Sequence, residues 1–323
     1  MNVKLLRFVL QFSLLLLIVL VLPLVVGSLW VKVATSTIIF ALAASGLSVL
    51  YAQLGLVNLS QIALVGIGGW IALRLNYATE LPPTFILALA GIATSLISAL
   101  LALPALRIRG LYLALLTLMA AGAFQILFTA YQFPNGGDGF WGVAPQSAIA
   151  ARRPLFALTD EAYLSFTAIV VALGFVLVAY HRATLPGRAW AMIKQSEASA
   201  MAAGINVVLF KLWAFALSGF LAGIAGGLLA GELGQLDARS FIAGDGILLF
   251  ALAVVGGVYS WVGAVIAGLL FKFLPALFND FGVSTDLTMI VFGAALLHAI
   301  MTAPRGIAGQ LIDTINSMGV RHD

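Results

Sequence analysis

The sequence predicts an all-α polytopic membrane protein of about ten transmembrane helices, with nine as the alternative count, some of them broken and both termini in the cytoplasm. Three observations carry this expectation. The 323 residues are 63% hydrophobic and only 9% charged, with a mean hydropathy of +1.13, whereas soluble domains run about 45–50% apolar and about 25% charged. The few charges are spaced so that each gap fits a membrane crossing. The positive residues are also divided unequally between alternate loops.

A charge at the bilayer centre costs several kcal/mol, so uncharged intervals approximate spans. The first is the 24 residues between Arg7 and Lys32, and the apolar run there is read from Leu5 to Val26, following Lys4 and Arg7. Its apolar run exceeds the roughly 7–15 residues of a signal-peptide core, and it is read as a retained first span. The interval between Lys32 and Arg74 holds two spans with a turn near Gln53 to Gln61. Single spans fit Leu81 to Leu106, Leu111 to Tyr131, Ala162 to His181, Leu212 to Gly231 and Leu287 to Pro304. Gly246 to Asn279 contains only Lys272 and is interrupted by Gly256-Gly257 and Pro275, so two short or broken helices are expected there. Lys272 then falls inside the ninth span, where it either snorkels or marks different span boundaries.

With the N-terminus inside, ten Lys and Arg fall in inside loops: Lys4, Arg7, Arg107, Arg109, Arg182, Arg188, Lys194, Lys211, Arg305 and Arg321. Five fall outside: Lys32, Arg74, Arg152, Arg153 and Arg239. That bias favours this orientation. The whole chain, 1–323, is read as one membrane domain carrying an external loop at 132–161 and a charged, alanine-rich cytoplasmic segment at 182–211. Its net charge of +4 follows loop topology and implies no nucleic-acid partner.

Glycine spacing separates packing from interruption. Gly219, Gly223, Gly227 and Gly231 recur every four residues, a bare ridge suited to close helix packing within the chain or against a second membrane subunit. Gly66, Gly68 and Gly69, and Gly256 and Gly257, are irregularly spaced and expected to break helices. Unwound backbone at membrane depth is tolerated where it is buried or lines a wet cavity, so these places mark a candidate path. Its neutral polar residues are Asn58, Ser60, Gln61, Thr117 and Gln125, beside Gly256 and Gly257.

The sequence has no phosphate-binding G-x-x-x-x-G-K-[ST] loop, no cysteine and no metal-ligand spacing among His181, His298 and His322. No catalytic residue, cofactor or metal is therefore expected in this chain, and any ATP would act in a partner. His298 is read as a packing residue. The acidic residues map to loops and span ends, which argues against ion-coupled transport.

Pro186-Gly187 opens and Gly204 closes a helical pattern in the cytoplasmic segment. At about 100° per residue, Trp190, Ile193, Glu197 and Met201 fall within about 80° of one another with Lys194 at the edge. Periodicity leaves two readings open: a surface helix with a Lys194–Glu197 pair, or a helix that docks into another protein through Trp190, Met201 and Glu197.

The segments GLSVLYAQLGLVNLSQIALVGIGGW (46–70), LRIRGLYLALLTL (106–118), NGGDGFWGV (135–143), GRAWAMIKQSEASAMAAGINVVLFKLWAFALSGFLAGIAG (187–226) and VVGGVYSWVGAVIAG (254–268) occur in this order. In that order they resemble the membrane permeases of ATP-binding-cassette importers for branched-chain amino acids, with urea and short-amide permeases as close relatives. The chain is similar to the second permease subunit of such importers. The resemblance implies that Arg188, Trp190, Lys194, Glu197, Met201 and Gly204 belong to a helix coupling the membrane domain to an ATPase. The pattern departs in two places: Gly204 stands seven residues after Glu197, and Ser199 replaces an alanine. Two ATPase subunits binding ATP and magnesium, a second homologous permease and a periplasmic solute-binding protein are the implied partners, in a bacterial inner membrane. Gly136, Gly137, Asp138 and Gly139 are the candidate contact for the binding protein. The competing readings are a passive channel for a small neutral solute such as urea and an ion-coupled carrier.

Overall fold

A chain this apolar must satisfy its backbone internally, and helices do so within one segment. The computed structural model describes residues 27–106, 108, 110–136, 150–283, 287, 290, 293–294 and 306–310. Among them are eleven α-helices: α1 (Ser28–Leu54), α2 (Gln61–Ala78), α3 (Pro83–Leu101), α4 (Leu111–Tyr131), α5 (Asp160–Ala183), α6 (Leu185–Gln195), α7 (Glu197–Ala202), α8 (Val207–Leu233), α9 (Ala243–Gly256), α10 (Trp261–Gly268) and α11 (Leu274–Asp280). A π-helical turn at Leu269–Phe273 joins the last two.

Seven segments among the described residues are long and apolar enough to cross a membrane: Ser28–Leu54, Pro83–Leu101, Leu111–Tyr131, Asp160–Ala183, Val207–Leu233, Ala238–Gly256 and Trp261–Asp280. Helix α2 carries Gln61, Arg74 and Asn76 and is not among them. The expected spans at Leu5 to Val26 and Leu287 to Pro304, with His298, lie wholly or largely outside the described residues.

Helices α1 and α8 form the centre, with 83% and 61% of their apolar windows buried, against 28% for α4. Each end of these helices has a local cause. Asn206 caps α8 by accepting from the Leu209 N–H at 3.0 Å, and Gly234 ends it in the left-handed region at φ 75°, where a glycine has no Cβ to clash. Thr159 caps α5, which places Asp160 and Glu161 in its first turn and His181 and Arg182 in its last. That distribution complements the helix dipole.

The glycine ridge on α8 packs entirely within this chain. A Cβ at Gly219 would meet Ser98 and Thr94, one at Gly223 would meet Ala90 and Thr94, and one at Gly231 would meet Tyr163. On the adjoining face Gly226 lies against the Val65 carbonyl and Gly69. This corrects the expectation for Gly66, Gly68 and Gly69: α2 runs through them without a break. They are bare because neighbours press close: the Phe128 and Phe241 rings on Gly66, Leu236 and the Gly226 carbonyl on Gly69, and backbone on Gly68, where a Cβ would stand 2.5 Å from the Gly223 Cα. The interruption falls earlier, at residues 55–60.

A second correction concerns the segment expected as one helix from Gly187 to Ala203. It breaks at Ser196, whose backbone is extended and whose hydroxyl caps α7 by accepting from the Ser199 N–H at 3.3 Å. Competition by a serine side chain for backbone donors is what makes it a helix starter rather than a helix interior residue. Lys272 sits in the π-helical turn, half-buried, with its ammonium 4.7 Å from the Phe40 ring centroid and 5.2 Å from that of Phe271. Aromatic faces accept the charge, in place of the snorkelling that is one reading of the sequence.

At the end of the bundle opposite the 182–211 segment, Arg153 donates to the carbonyls of Gly231 (2.7 Å) and Glu232 (2.9 Å), pairs with Asp160 (2.8 Å) and lies over the Tyr163 ring. It thereby satisfies carbonyls that the end of α8 leaves open. Truncation by Arg153→Ala should destabilise the fold by about 2–3 kcal/mol, the scale of charge-assisted hydrogen bonds. A detergent-solubilised variant melting with the native chain would refute this.

Candidate transport path and coupling segment

The stretch at 55–60 begins where Gly55 adopts φ 70° and ends α1. The Gly55 N–H donates to the Tyr51 carbonyl at 3.0 Å and the Leu56 N–H to that of Leu50 at 3.1 Å, a helix stop that satisfies orphan carbonyls. The chain then turns back into the bundle. Gln61 donates to the carbonyl of Ala43 (3.0 Å), in the middle of α1, and accepts from Ser218 Oγ (3.1 Å), in the middle of α8. Unwound backbone therefore reaches the depth of the two central helices.

Its polar groups are consumed locally. Asn58 Oδ1 accepts from the Ser60 N–H (3.0 Å) and Ser60 Oγ (2.7 Å), and the Leu59 N–H donates to Thr117 Oγ1 at 3.0 Å. Asn58, Ser60, Gln61 and Thr117 are all buried. Gly46 leaves the room that the Gln61 amide occupies, since a Cβ there would stand 2.6 Å from Nε2. The structure thus brings four candidate path residues into one sealed node. Such a node fixes backbone geometry, because each unpaired polar group in this setting would cost about 1–3 kcal/mol.

Gln125 lies elsewhere on α4 and accepts from the Ala243 N–H at 2.9 Å, holding the start of α9. Helix α9 also touches the unwound stretch, with Gly246 against the Leu59 carbonyl. Gly256 and Gly257 form the second break: α9 ends at Gly256, and Gly257 takes φ 111° before α10 begins at Trp261. Gly263 packs on the Gly257 carbonyl, closing the two short helices on each other.

Near the Arg153 end, an open cavity of ≈ 620 Å³ is lined by Thr129, Gln132, Asn135, Gln235, Asp237 and Arg239 among others. The Asn135 amide bridges two chain segments, donating to the Leu236 carbonyl at 3.0 Å and accepting from its N–H at 3.2 Å. Gln132 is the single non-glycine residue with positive φ, at 58°, among the described residues; such backbone gathers at functional places. Gly136 is described, with φ 91°; Gly137, Asp138 and Gly139 lie outside the described residues. Sequence reasoning reached Gln132 and Asn135 only as members of the 132–161 loop and of NGGDGFWGV, and missed Asp237 and Arg239. The partners of Gln132 and Asn135 are distant in the chain, whereas Asp237 accepts from the Arg239 N–H two residues away, a short turn that no motif marks.

The 182–211 segment is clasped to the bundle. Trp190 is fully buried, donates to the Phe210 carbonyl at 2.8 Å and stacks near His181. Glu197 pairs with Lys211 at 2.9 Å rather than with Lys194. Lys194 Nζ donates to the Ala52 carbonyl at 2.9 Å and lies 5.5 Å from the Tyr259 ring centroid. Gly204 takes φ 81° and ends the segment's helical run. Trp190 and Glu197 thus hold the segment, while Arg188, Met192, Lys194, Gln195, Ser199 and Met201 lie on its exposed side, Lys194 with its ammonium turned back onto the Ala52 carbonyl.

A bundle of apolar helices, two breaks inside it and a folded segment at one end define a multi-pass helical membrane protein built for transport. The family model described as "Branched-chain amino acid transport system / permease component" matches residues 29–300. The chain belongs to that family. It is 27% identical over 306 residues to the high-affinity branched-chain amino acid transport system permease protein LivM of Salmonella typhimurium, covering 88% of this chain and 71% of that one. It is 26% identical to the probable branched-chain amino acid transport permease protein LivH of Methanocaldococcus jannaschii, over 84% and 89% of the two chains. It is 27% identical to the nucleoside ABC transporter permease protein NupC of Lactococcus lactis subsp. cremoris, over 69% and 73%. No solved structure matches the chain significantly.

Proposed function

We propose that this chain is the membrane-spanning permease subunit of an ATP-driven importer for branched-chain or other neutral, hydrophobic amino acids. It works beside a second homologous permease, two ATPase subunits that bind ATP and magnesium, and a periplasmic binding protein, in a bacterial inner membrane. Both termini and the 182–211 segment are cytoplasmic in this reading, and the 132–161 loop faces the binding protein. The chain itself performs no covalent chemistry. Its task is to exchange two packings of similar energy that ligand and nucleotide bias differently.

The observation that carries the reading is the build of the 182–211 segment: clasped inward by Trp190 and Glu197, it presents Arg188, Met192, Gln195, Ser199 and Met201 outward. A passive channel has no need of such a surface. The buried state of Asn58, Ser60, Gln61 and Thr117 supports their role as the hinge of the path in this packing, with Gly256 and Gly257 as the other hinge.

A second reading concerns the solute alone. The Lactococcus relative is named for nucleosides, so another small organic solute suits the same machinery. Reconstitution of the chain with these four partners in proteoliposomes tests both. Uptake of labelled leucine is expected to require ATP and binding protein. Equal uptake without them would replace this reading by the passive channel, and nucleoside uptake in place of leucine would select the second solute.

A further inference from the structure

Lys194 is the one cytoplasmic-segment side chain among the described residues that touches the flanks of both helix interruptions. Its ammonium donates to the Ala52 carbonyl in the last turn of α1, three residues before Gly55 opens the first stretch. The same ammonium lies over the ring of Tyr259, inside the turn that separates α9 from α10. The backbone of that turn is held from the other side, where Arg182 at the end of α5 donates to the carbonyls of Tyr259 (3.1 Å) and Val258 (3.3 Å). The remaining anchors of the segment, Trp190 on Phe210 and His181 and Glu197 on Lys211, reach the start of α8 and the end of α5 and neither interruption.

We propose that Lys194 is a positioning residue that relays displacement of the 182–211 segment to both unwound stretches, rather than a contact for the ATPase. The inference rests on the importer reading above. Two physical points support it. A carbonyl in the last turn of a helix lacks an intrahelical donor, so a cation there is held by both hydrogen bond and helix dipole. And Tyr259 is gripped between α5, through its backbone, and α6, through its ring; sliding α6 against α5 must therefore move that turn or break the grip.

The absence of cysteine lets Val57→Cys, at a half-buried position of the first stretch, report on that stretch by its rate of maleimide labelling in membranes. Lys194→Met keeps the aliphatic stem and removes the charge; Lys194→Arg keeps the charge. With Lys194→Met the labelling rate is expected to change about threefold or more, as a locally opened segment should. In the reconstituted complex, uptake should fall about tenfold or more, while ATPase co-purification and ATP hydrolysis stay within about twofold, a coupling loss of ordinary size. Lys194→Arg should restore labelling and uptake together. Native labelling in Lys194→Met would overturn the relay, as would loss of ATPase subunits together with uptake. If the native chain captures no ATPase, the importer reading falls, while the labelling comparison still decides the role of Lys194.

Discussion

Gly226→Val is expected to yield a chain that is synthesised but does not reach a stable fold. Gly226 lies where α8 crosses α2, and a Cβ there would run into the Val65 carbonyl and stand 2.5 Å from the Gly69 nitrogen. Overpacking that side chains can absorb costs about 1–3 kcal/mol. Here the opposing atoms are backbone on both sides, so relief requires the helices to separate. Lipid supplies no hydrophobic drive to bring them back, and association depends on close contact and interhelical hydrogen bonds. Separation would also pull apart Gln61 and Ser218, which bridge the same two helices. A loss of about 3 kcal/mol or more is expected, a large share of the roughly 5–15 kcal/mol that stabilises typical proteins. Size-exclusion of a fluorescent fusion and its melting temperature would read the effect. Gly122→Ala is the control, because a Cβ at that helical position meets nothing within 4 Å and helix propensity favours Ala by about 1 kcal/mol. Native-like melting of Gly226→Val would refute the argument.

The helices were legible because charge is so costly in hydrocarbon that its spacing marks their ends: Leu111–Tyr131 is helical over the predicted bounds, and Ala162 to His181 lies within α5. The function of individual glycines was less so. Whether a glycine breaks a helix or admits a neighbour depends on what faces it, which is why Gly68 and Gly69 prove to be contact points on α8 and Gly66 on the Phe128 and Phe241 rings, while Gly55 makes the break. The same ambiguity applies to Trp190. Periodicity placed it on an apolar face, but an apolar face is equally suited to a partner and to the chain's own core, and here it is the core that covers it. Likewise the acceptor of Lys194 lies 142 residues away, and no local pattern encodes such a pairing. The resemblance singles out the 182–211 segment as the candidate for coupling; only tertiary structure divides it into a clasped and an exposed half.

That division makes the Glu197–Lys211 pair unequal in its two members, and the inequality can be measured. Glu197→Ala is expected to destabilise the chain by about 3–5 kcal/mol, the cost of leaving a buried charge without its partner. The Lys211 side chain is only 2% exposed, whereas that of Glu197 is 21% exposed. Lys211→Met removes the same 2.9 Å contact but keeps an apolar stem in the buried position and leaves Glu197 a route to water, so a loss of about 1 kcal/mol is expected. Equal losses would remove burial as the cause. Glu197→Lys sets two ammonium groups together at the foot of α8 and should be worse than either. Combining it with Lys211→Glu restores opposite charge and should recover melting. The recovered protein then separates two roles that the single variants confuse. Transport that returns with stability makes the pair a clasp alone. Transport that stays lost in a stable exchanged pair assigns Glu197 a second contact on the ATPase, beyond the one it makes within its own chain.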